Sequence, residues 1–504
     1  MILIIKQLKS NSSAGWDDVS SKVLQYCHLP LLDPLIHLVN LSLAQGVFPD
    51  LCKIAKVIPL FKSGINTVFT NYRPISILNS LSKIFERIFY NRLYEFLNQE
   101  NILYDKQFGF RKAYSTQLAL LLLVDRINDA LEQGEYILGV FLDFAKAFDT
   151  VNHEILLNKL EFYGIRGVSN DWVRSYLSNR EQFVSNDGIN SPLKRIKCGV
   201  PQGSILGPLL FLVYINDLSK ISNLLYIVMF ADDTNVFFTG KNLKELETVM
   251  NRELALLYEW LCANKLSLNI SKTHYMVFRP PRTILNYNIC LKINNEEINS
   301  VEQTKFLGVI LDSHFTWKAH INYIKSKLSK STGILYKARR LLNQKSLLSL
   351  YYAFIYPYFL YCITIWGGAN ITTLTPLIKI QKRAVRIVCC KSRLTSTAPL
   401  FQSMKILNIH QIYNLQILVF MLKYKKSLFP TLFSTLFTKT TDIHCYATRQ
   451  VNNYYPPRCK TETAKTSLRY AGTFLWNNLP PEIKTFNGTL SVFKKNIIKI
   501  WFSV

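Results

Sequence analysis

Apolar positions along this chain follow two rhythms up to about Leu311 and mainly one beyond it. Residues 19–43 repeat apolar side chains at helical spacing until Gly46 and Pro49 interrupt them. Residues 56–61 predict a short strand, and Lys62-Ser63-Gly64 a turn. Residues 81–97 predict an amphipathic helix with Arg87 and Arg92 on its polar side, and residues 116–133 another, capped by Gly134. Residues 136–142 are continuously apolar and run into Asp143; a helix is expected over 145–163, stopped by Gly164. Residues 204–218 read as an apolar helix. Residues 224–230 and 235–239 read as two strands joined by a hairpin at Ala231-Asp232-Asp233-Thr234. A helix over 243–261 and strands over 265–278 and 305–311 complete this part. After His320 the pattern is mostly helical, with a polar break around 438–465. Strands alternating with helices predict an α/β domain with helices packed on a sheet, followed by a helical layer and a tail.

Length and composition make this a chain of several folded parts. It has 504 residues, 49% of them hydrophobic and 13% aromatic, enough for more than one core and unlike a disordered chain. The formal charge of +27 is unevenly spread. Through His320 there are 33 Lys and Arg against 30 Asp and Glu; from Ile321 on there are 27 against three, Asp442, Glu462 and Glu482. A basic, aromatic-rich half suits a phosphate-bearing partner. Removing it from about Ser396 onward is expected to weaken nucleic-acid binding and flatten its salt dependence. The cysteines are scattered without metal-binding spacing, so free thiols are the expectation. Residues 347–369 carry no charge and approach the length of a membrane span. Five tyrosines and Pro357 argue instead for buried helix packing, and no membrane partner is expected.

The chemistry-bearing residues sit at strand ends. Asp143 closes one apolar strand, and Asp232 and Asp233 tip an apolar hairpin. A carboxylate there is costly unless solvated or bound. Two such strands side by side would gather three hard oxygen donors at one sheet edge, as two-metal phosphoryl transfer requires. Taken singly, Asp232-Asp233 reads equally as a polar turn and Asp143 as a helix cap. Three further features favour the first reading. Gly199-Val200-Pro201-Gln202-Gly203-Ser204 forms a tight loop before a helix, allowing close backbone approach to a ligand. Phe148 lies five residues after Asp143, at the start of the expected helix. Lys56, Lys62, Arg73 and Arg111 precede the acids and suit a triphosphate.

Six blocks in order carry a resemblance. They are Asn71-Tyr72-Arg73-Pro74-Ile75-Ser76, Gln107-Phe108-Gly109-Phe110-Arg111, Phe141-Leu142-Asp143-Phe144-Ala145-Lys146-Ala147-Phe148-Asp149, the Gly199–Ser204 loop, Phe230-Ala231-Asp232-Asp233 and Phe306-Leu307-Gly308. Together they resemble the reverse transcriptase of non-LTR (LINE-type) retrotransposons, most of all the jockey-like elements; Leu475-Trp476-Asn477-Asn478-Leu479-Pro480 is similar to the C-terminal ends of those elements. The resemblance implies an α/β (α+β) right-hand polymerase. Fingers and palm surround an antiparallel palm sheet over 54–315, after an N-terminal extension over 1–53. A helical thumb over 316–395 and a basic C-terminal region over 396–504 follow.

The resemblance also implies an RNA-directed DNA polymerase that uses two Mg²⁺ ions, or Mn²⁺, held by Asp143, Asp232 and Asp233. Lys272 would protonate the departing pyrophosphate. Arg73, Arg111, Phe144, Phe148 and Gln202 would bind the nucleotide, Phe148 by rejecting a 2′-hydroxyl. Phe306, Leu307 and Gly308 would grip the primer. RNA template, DNA primer, dNTPs and an element RNA in a ribonucleoprotein are the implied partners, in cytoplasm and nucleus. Two departures stand out: Phe230 where relatives often carry Tyr, and Ala14-Gly15-Trp16-Asp17-Asp18 in place of a Pro-Gly-Pro-Asp-Gly type of turn. A catalytically inactive RNA-binding remnant and a group II intron-type maturase are the rival classes. The tail lacks the paired cysteines expected of the latter, and no separate RNA-binding domain points to a telomerase. No nuclease-like cluster is visible, so the chain is expected to extend a supplied primer without nicking DNA.

Overall fold

The computed structural model describes residues 1–11, 13–280, 283–443 and 453–502. The strands that build the site are β1 (Ile54–Phe61), β2 (Tyr72–Ile77), β3 (Tyr136–Leu142), β4 (Glu181–Asn186), β5 (Tyr226–Phe230), β6 (Asp233–Gly240), β7 (His274–Phe278), β8 (Asn299–Ser300), β9 (Gln303–Phe306) and β10 (Val309–Asp312). The helices packed around them include α1 (Ser80–Gln99), α2 (Thr116–Glu132), α3 (His153–Phe162), α4 (Gly207–Ile215) and α5 (Leu243–Ala263). Further on come α6 (Lys318–Ala338), α7 (Gln344–Phe354), α8 (Ile371–Val388), α9 (Ile409–Lys425), α10 (Leu468–Asn477) and α11 (Leu490–Phe502).

The central sheet explains why residues 136–142 carry no polar alternation. Its order is β8-β7-β3-β6-β5, antiparallel except for the parallel β7–β8 pair. Both faces are covered, so side chains pointing either way from β3 must be apolar. Ile137 and Phe141 enter one core with Phe237, Met276 and Phe278. Leu138, Val140 and Leu142 enter another with Ile227, Val236 and Val277. Between them Gly139 leaves room for a neighbour: a Cβ there would come within 2.7 Å of the Phe237 ring. A smaller sheet joins β2, β1 and β4, with β1–β2 antiparallel and β1–β4 parallel.

Several expected elements are shortened, each for a local reason. The helix expected over 145–163 begins only at His153, where the Asn152 side chain accepts the Ile155 amide at 3.1 Å. Residues 145–152 coil instead into turns tied to neighbouring loops, so Phe148 sits on a turn. The pattern over 19–43 divides into Ser21–Tyr26 and Leu32–Gln45, because Pro30 has no amide to continue the ladder. Of residues 265–278 only β7 is extended. Residues 305–311 fold into the β9–β10 hairpin, with Leu307 and Gly308 at φ +44° and +83°. The uncharged stretch over 347–369 breaks into three helices, and among the described residues no helix is long and apolar enough to cross a membrane.

The basic half is not a separable tail. Side chains from α6, α8, α9, α10 and α11 share one core with Phe141 and Phe237 of the central sheet. In α9, residues Ile417 to Leu422 are all buried, each large apolar side chain contributing about 1.5–3 kcal/mol. A truncation at Ser396 would therefore uncover a face of the sheet as well as remove cations. Polar contacts fasten the same surface. Arg469 of α10 reaches Asp125 and Asp129 of α2 at 3.2 and 3.3 Å. Glu132, on the same helix, accepts the Lys460 amide at 3.0 Å. Burial pushes the Asp125 carboxyl up to about 7, with Arg469 opposing that rise and Asp129 adding to it.

Removing the guanidinium leaves a buried carboxyl without its partner. Arg469→Met is expected to destabilise the chain by about 2 kcal/mol. Urea unfolding at neutral pH measures this. An unchanged midpoint would mean that the clamp adds nothing to apolar packing.

Candidate active site

Backbone pairing brings the acids together. In the β3–β6 ladder Leu142 pairs with Thr234, so Asp143 and Asp233 are the next residues on adjoining strands. Phe230 pairs with Asp233 across β5–β6, which leaves Ala231-Asp232 as a two-residue turn. Ala231 adopts φ +56°, a conformation L residues rarely take. Neighbouring groups hold it there. Gln107 Oε1 accepts the Ala231 amide at 3.0 Å and the Gly109 amide at 2.9 Å. Phe108 N donates to Met229 O at 2.8 Å, and Met229 N to Lys106 O at 3.0 Å, so this segment adds to the edge of β5. A Cβ on Gly109 would lie 2.4 Å from Ala231 N. The Gln107-Phe108-Gly109 block thus braces the acid turn, a job that Gln107's place among the motifs did not reveal.

A second brace holds Asp143. Its amide donates to Thr273 Oγ1 at 3.3 Å, and its carbonyl accepts Asn269 N at 2.8 Å. Ala145 N donates to Ser267 O at 2.8 Å. Lys272 lies exposed on this same turn, near the Asp143 strand end.

The carboxylates sense one another and two cations. Asp232 and Asp233 have accessible surface, yet protein crowds them closely enough for desolvation to dominate. It raises Asp232, with Arg73 and Lys62 opposing and Asp143 assisting. Asp233 is pushed up to about 6 by desolvation, then by Asp232 and Asp143, against Lys62 and Arg73. Arg73 lies exposed on β2 opposite Leu60, and Lys62 follows β1. The three acids stand at adjoining strand ends, and carboxylate oxygens are the donors that hard divalent cations prefer. Among the described residues, no three acidic, His or Cys side chains close into a finished cage.

The other expected residues distribute unevenly. Phe148 is half-buried, stacked on Phe211 with ring centroids 4.3 Å apart and met edge-on by Phe110 at 6.1 Å. Phe144 is buried in the core. Gln202 Nε2 donates to Asp149 Oδ1 at 2.9 Å, and its carbonyl accepts Ser76 N at 2.8 Å. Arg111 turns away from the acids: it donates to Tyr104 O at 2.7 Å and stacks over Tyr114 at 4.1 Å. Lys56 is half-buried within β1. Phe306 is buried against Phe141, and Leu307 O accepts the Tyr361 hydroxyl at 2.6 Å. Tyr361 and Gln107 are the participants that periodicity could not single out.

This sheet, with its acids at one edge, lies within residues 62–311, which belong to the family described as "Reverse transcriptase (RNA-dependent DNA polymerase)". Within that family the chain is similar to the probable RNA-directed DNA polymerase from transposon BS of Drosophila melanogaster, 30% identical with 76% of this chain covered. It is also similar to the RNA-directed DNA polymerase from mobile element jockey of Drosophila funebris, at 28% identity over 76% of this chain. A more distant match is the Pol polyprotein of the type-1 retrotransposable element R1 of Bradysia coprophila, at 26% over 67%. The resemblance to a non-LTR, jockey-like reverse transcriptase therefore holds. The chain spans 43% of the length of the first two relatives and 33% of the third.

The electrostatics give a pH signature in metal-free protein. Asp233 has its folded value raised above the ordinary carboxylate value of 3.8. Its contribution to stability is present below pH 3.8 and is lost as pH rises through about 6. Asp233→Asn is expected to raise the melting temperature in chelator above about pH 6, with the gain vanishing near pH 4. Parallel melting curves for the two proteins across this range would show that the crowding is not felt.

Proposed function

We propose that the chain is the RNA-directed DNA polymerase of a mobile element, adding dNTPs to a primer 3′-hydroxyl along an RNA template. The convergence of Asp143 with Asp232 and Asp233 at one sheet edge, under the charges of Lys62 and Arg73, carries this reading. The smaller sheet and α1 serve as fingers, the central sheet as palm, and α6 to α8 as thumb; the basic helices beyond Ser396 would track the template backbone. Asp143, Asp232 and Asp233 would hold two Mg²⁺ ions, or Mn²⁺. Bound there, the ions would acidify the attacking hydroxyl and offset charge on the leaving pyrophosphate.

The chain's own residues would do the rest. Arg73 and Lys62 would take the triphosphate, since both act on the acids from the finger side. Arg111, committed to Tyr104 and Tyr114, would shape the finger loop. Phe148, backed by Phe211, would present a ring edge where a ribose 2′-hydroxyl would otherwise fit. Gln202 would meet the nucleotide from its loop. Lys272 would hold a proton for the pyrophosphate, and the Leu307-Gly308 tip, tied down by Tyr361, would steady the primer. An element RNA in a ribonucleoprotein, passing through cytoplasm and nucleus, fits this reading.

Primer extension on poly(rA) with oligo(dT) is the direct test. Asp143→Asn or Asp232→Asn is expected to lower extension at least about 10³-fold, because the carboxamide keeps the shape but not the charge. RNA affinity should stay within about twofold. Extension near the wild-type rate in either variant would overturn the assignment. Phe148→Val is expected to raise the use of ribonucleotides relative to deoxyribonucleotides by about tenfold or more, the discrimination being steric. An unchanged ratio would return Phe148 to a packing role.

A further inference from the structure

A carboxylate with no exposed surface needs a compensating environment. Glu86 of α1 is 0% exposed, far from the acid edge in sequence. Its Oε2 accepts the amides of Ile205 at 2.6 Å and Leu206 at 3.1 Å. Its Oε1 accepts the Ser82 hydroxyl at 2.8 Å. Arg180, itself 1% exposed, supplies positive charge without a direct bond: Nη1 donates to Tyr176 O at 3.0 Å, and Nε and Nη2 have no hydrogen-bond partner among the described residues. Burial raises Glu86, while the two amides, Arg180 and Ser82 oppose that rise.

Ile205 and Leu206 immediately precede α4, so their amides are donors that the helix cannot satisfy internally. Glu86 fills that need from another element, and its negative charge suits the helix start. The same chain segment carries Gln202. Three anchors therefore hold the loop before α4. Ser76 N binds Gln202 O at 2.8 Å, and Asp149 Oδ1 binds Gln202 Nε2 at 2.9 Å. Glu86 holds the end nearest the helix. Gly203, at φ +128°, passes so close to Ser76 that a Cβ would lie 2.4 Å from its carbonyl. With so little slack at Gly203, a shift at Ile205 is transmitted to Gln202.

We propose that Glu86 is a positioning residue for nucleotide addition: its buried carboxylate fixes the start of α4 and thereby the place of Gln202. The inference rests on reading the Gly199–Ser204 loop as part of the nucleotide site. Glu86 touches no substrate; it acts through the loop. Its role differs from general stabilisation because its effect should travel with Gln202 and not with the template.

Glu86→Gln in the full chain keeps the shape and removes the charge. Hydrogen exchange of peptides spanning 199–207 is expected to quicken about tenfold, with β3 peptides unchanged, the loss expected when amides lose a charged acceptor. In primer extension the dNTP KM is expected to rise about tenfold, with template affinity within about twofold. Combining Glu86→Gln with Gln202→Ala should give a KM close to that of Gln202→Ala alone. Multiplicative effects in the double variant would overturn the proposal, as would normal exchange at 199–207. If Glu86→Gln does not fold, Ser82→Ala tests the same carboxylate more gently. It should raise KM and quicken that exchange by a few-fold; an unchanged KM and exchange would overturn the proposal. Wild-type protein that cannot extend a primer would refute the polymerase reading, while the exchange experiment would still judge whether Glu86 holds the loop.

Discussion

The structure depends on one constraint: three carboxylates must stand close together at the edge of a sheet that buries both its faces. Nothing in Asp232 and Asp233 themselves favours this, since desolvation and the charge of their acidic neighbours act against their charged forms. The β3–β6 register imposes it. A one-residue slip would carry every side chain of β3 to the opposite core. Because Ile137 and Phe141 fill one core while Leu138, Val140 and Leu142 fill the other, the apolar interior resists that slip. Packing energy thus fixes the register, and the register fixes the acids.

The loops around this edge all serve that arrangement. Gln107 and Gly109 support the unusual turn at Ala231 from one side. The turn over 266–273 takes the Asp143 backbone from the other. The loop before α4 meets Asp149, on the turn that follows Asp143, and is itself held by a buried carboxylate. Backbone amides and carbonyls do most of this work. Such groups give sharper placement than long side chains because fewer torsions separate them from the strand.

Covering both faces of the sheet has a wider consequence. One face is closed by helices that lie between the strands in sequence. The other is closed largely by helices from the basic half, with α2 beneath them and Arg469 fastening the contact. The same segments that carry the positive charge therefore also complete the core. Ile417 to Leu422 are buried around the whole circumference of α9, and its lysines, Lys423 and Lys425, sit in the last turn. On the proposed reading, nucleic-acid affinity and fold stability would be coupled in this half, so exposed cations rather than whole segments would be the units by which the two can be separated.

Much of this was legible in the order of residues. Apolar periodicity located β3, α1, α2 and α5 closely, because each is long or fully buried and its pattern is set by the environment on its own faces. Two strand ends with acids, and a glycine-rich loop between them, marked the site. The sequence by itself also determined the asymmetry of charge. It did not determine where the turns after Asp143 end, that residues 305–311 form a hairpin, or that Arg111 faces Tyr104 and Tyr114. Nor could it reveal that Gln107 and Glu86 are braces, or that the basic half closes the sheet. Those facts rest on contacts between residues far apart in the chain, such as Gln107 with Ala231, Glu86 with Ile205 and Asp125 with Arg469. Local pattern reports only the surroundings a segment prefers; which partner supplies them is decided when the whole chain packs.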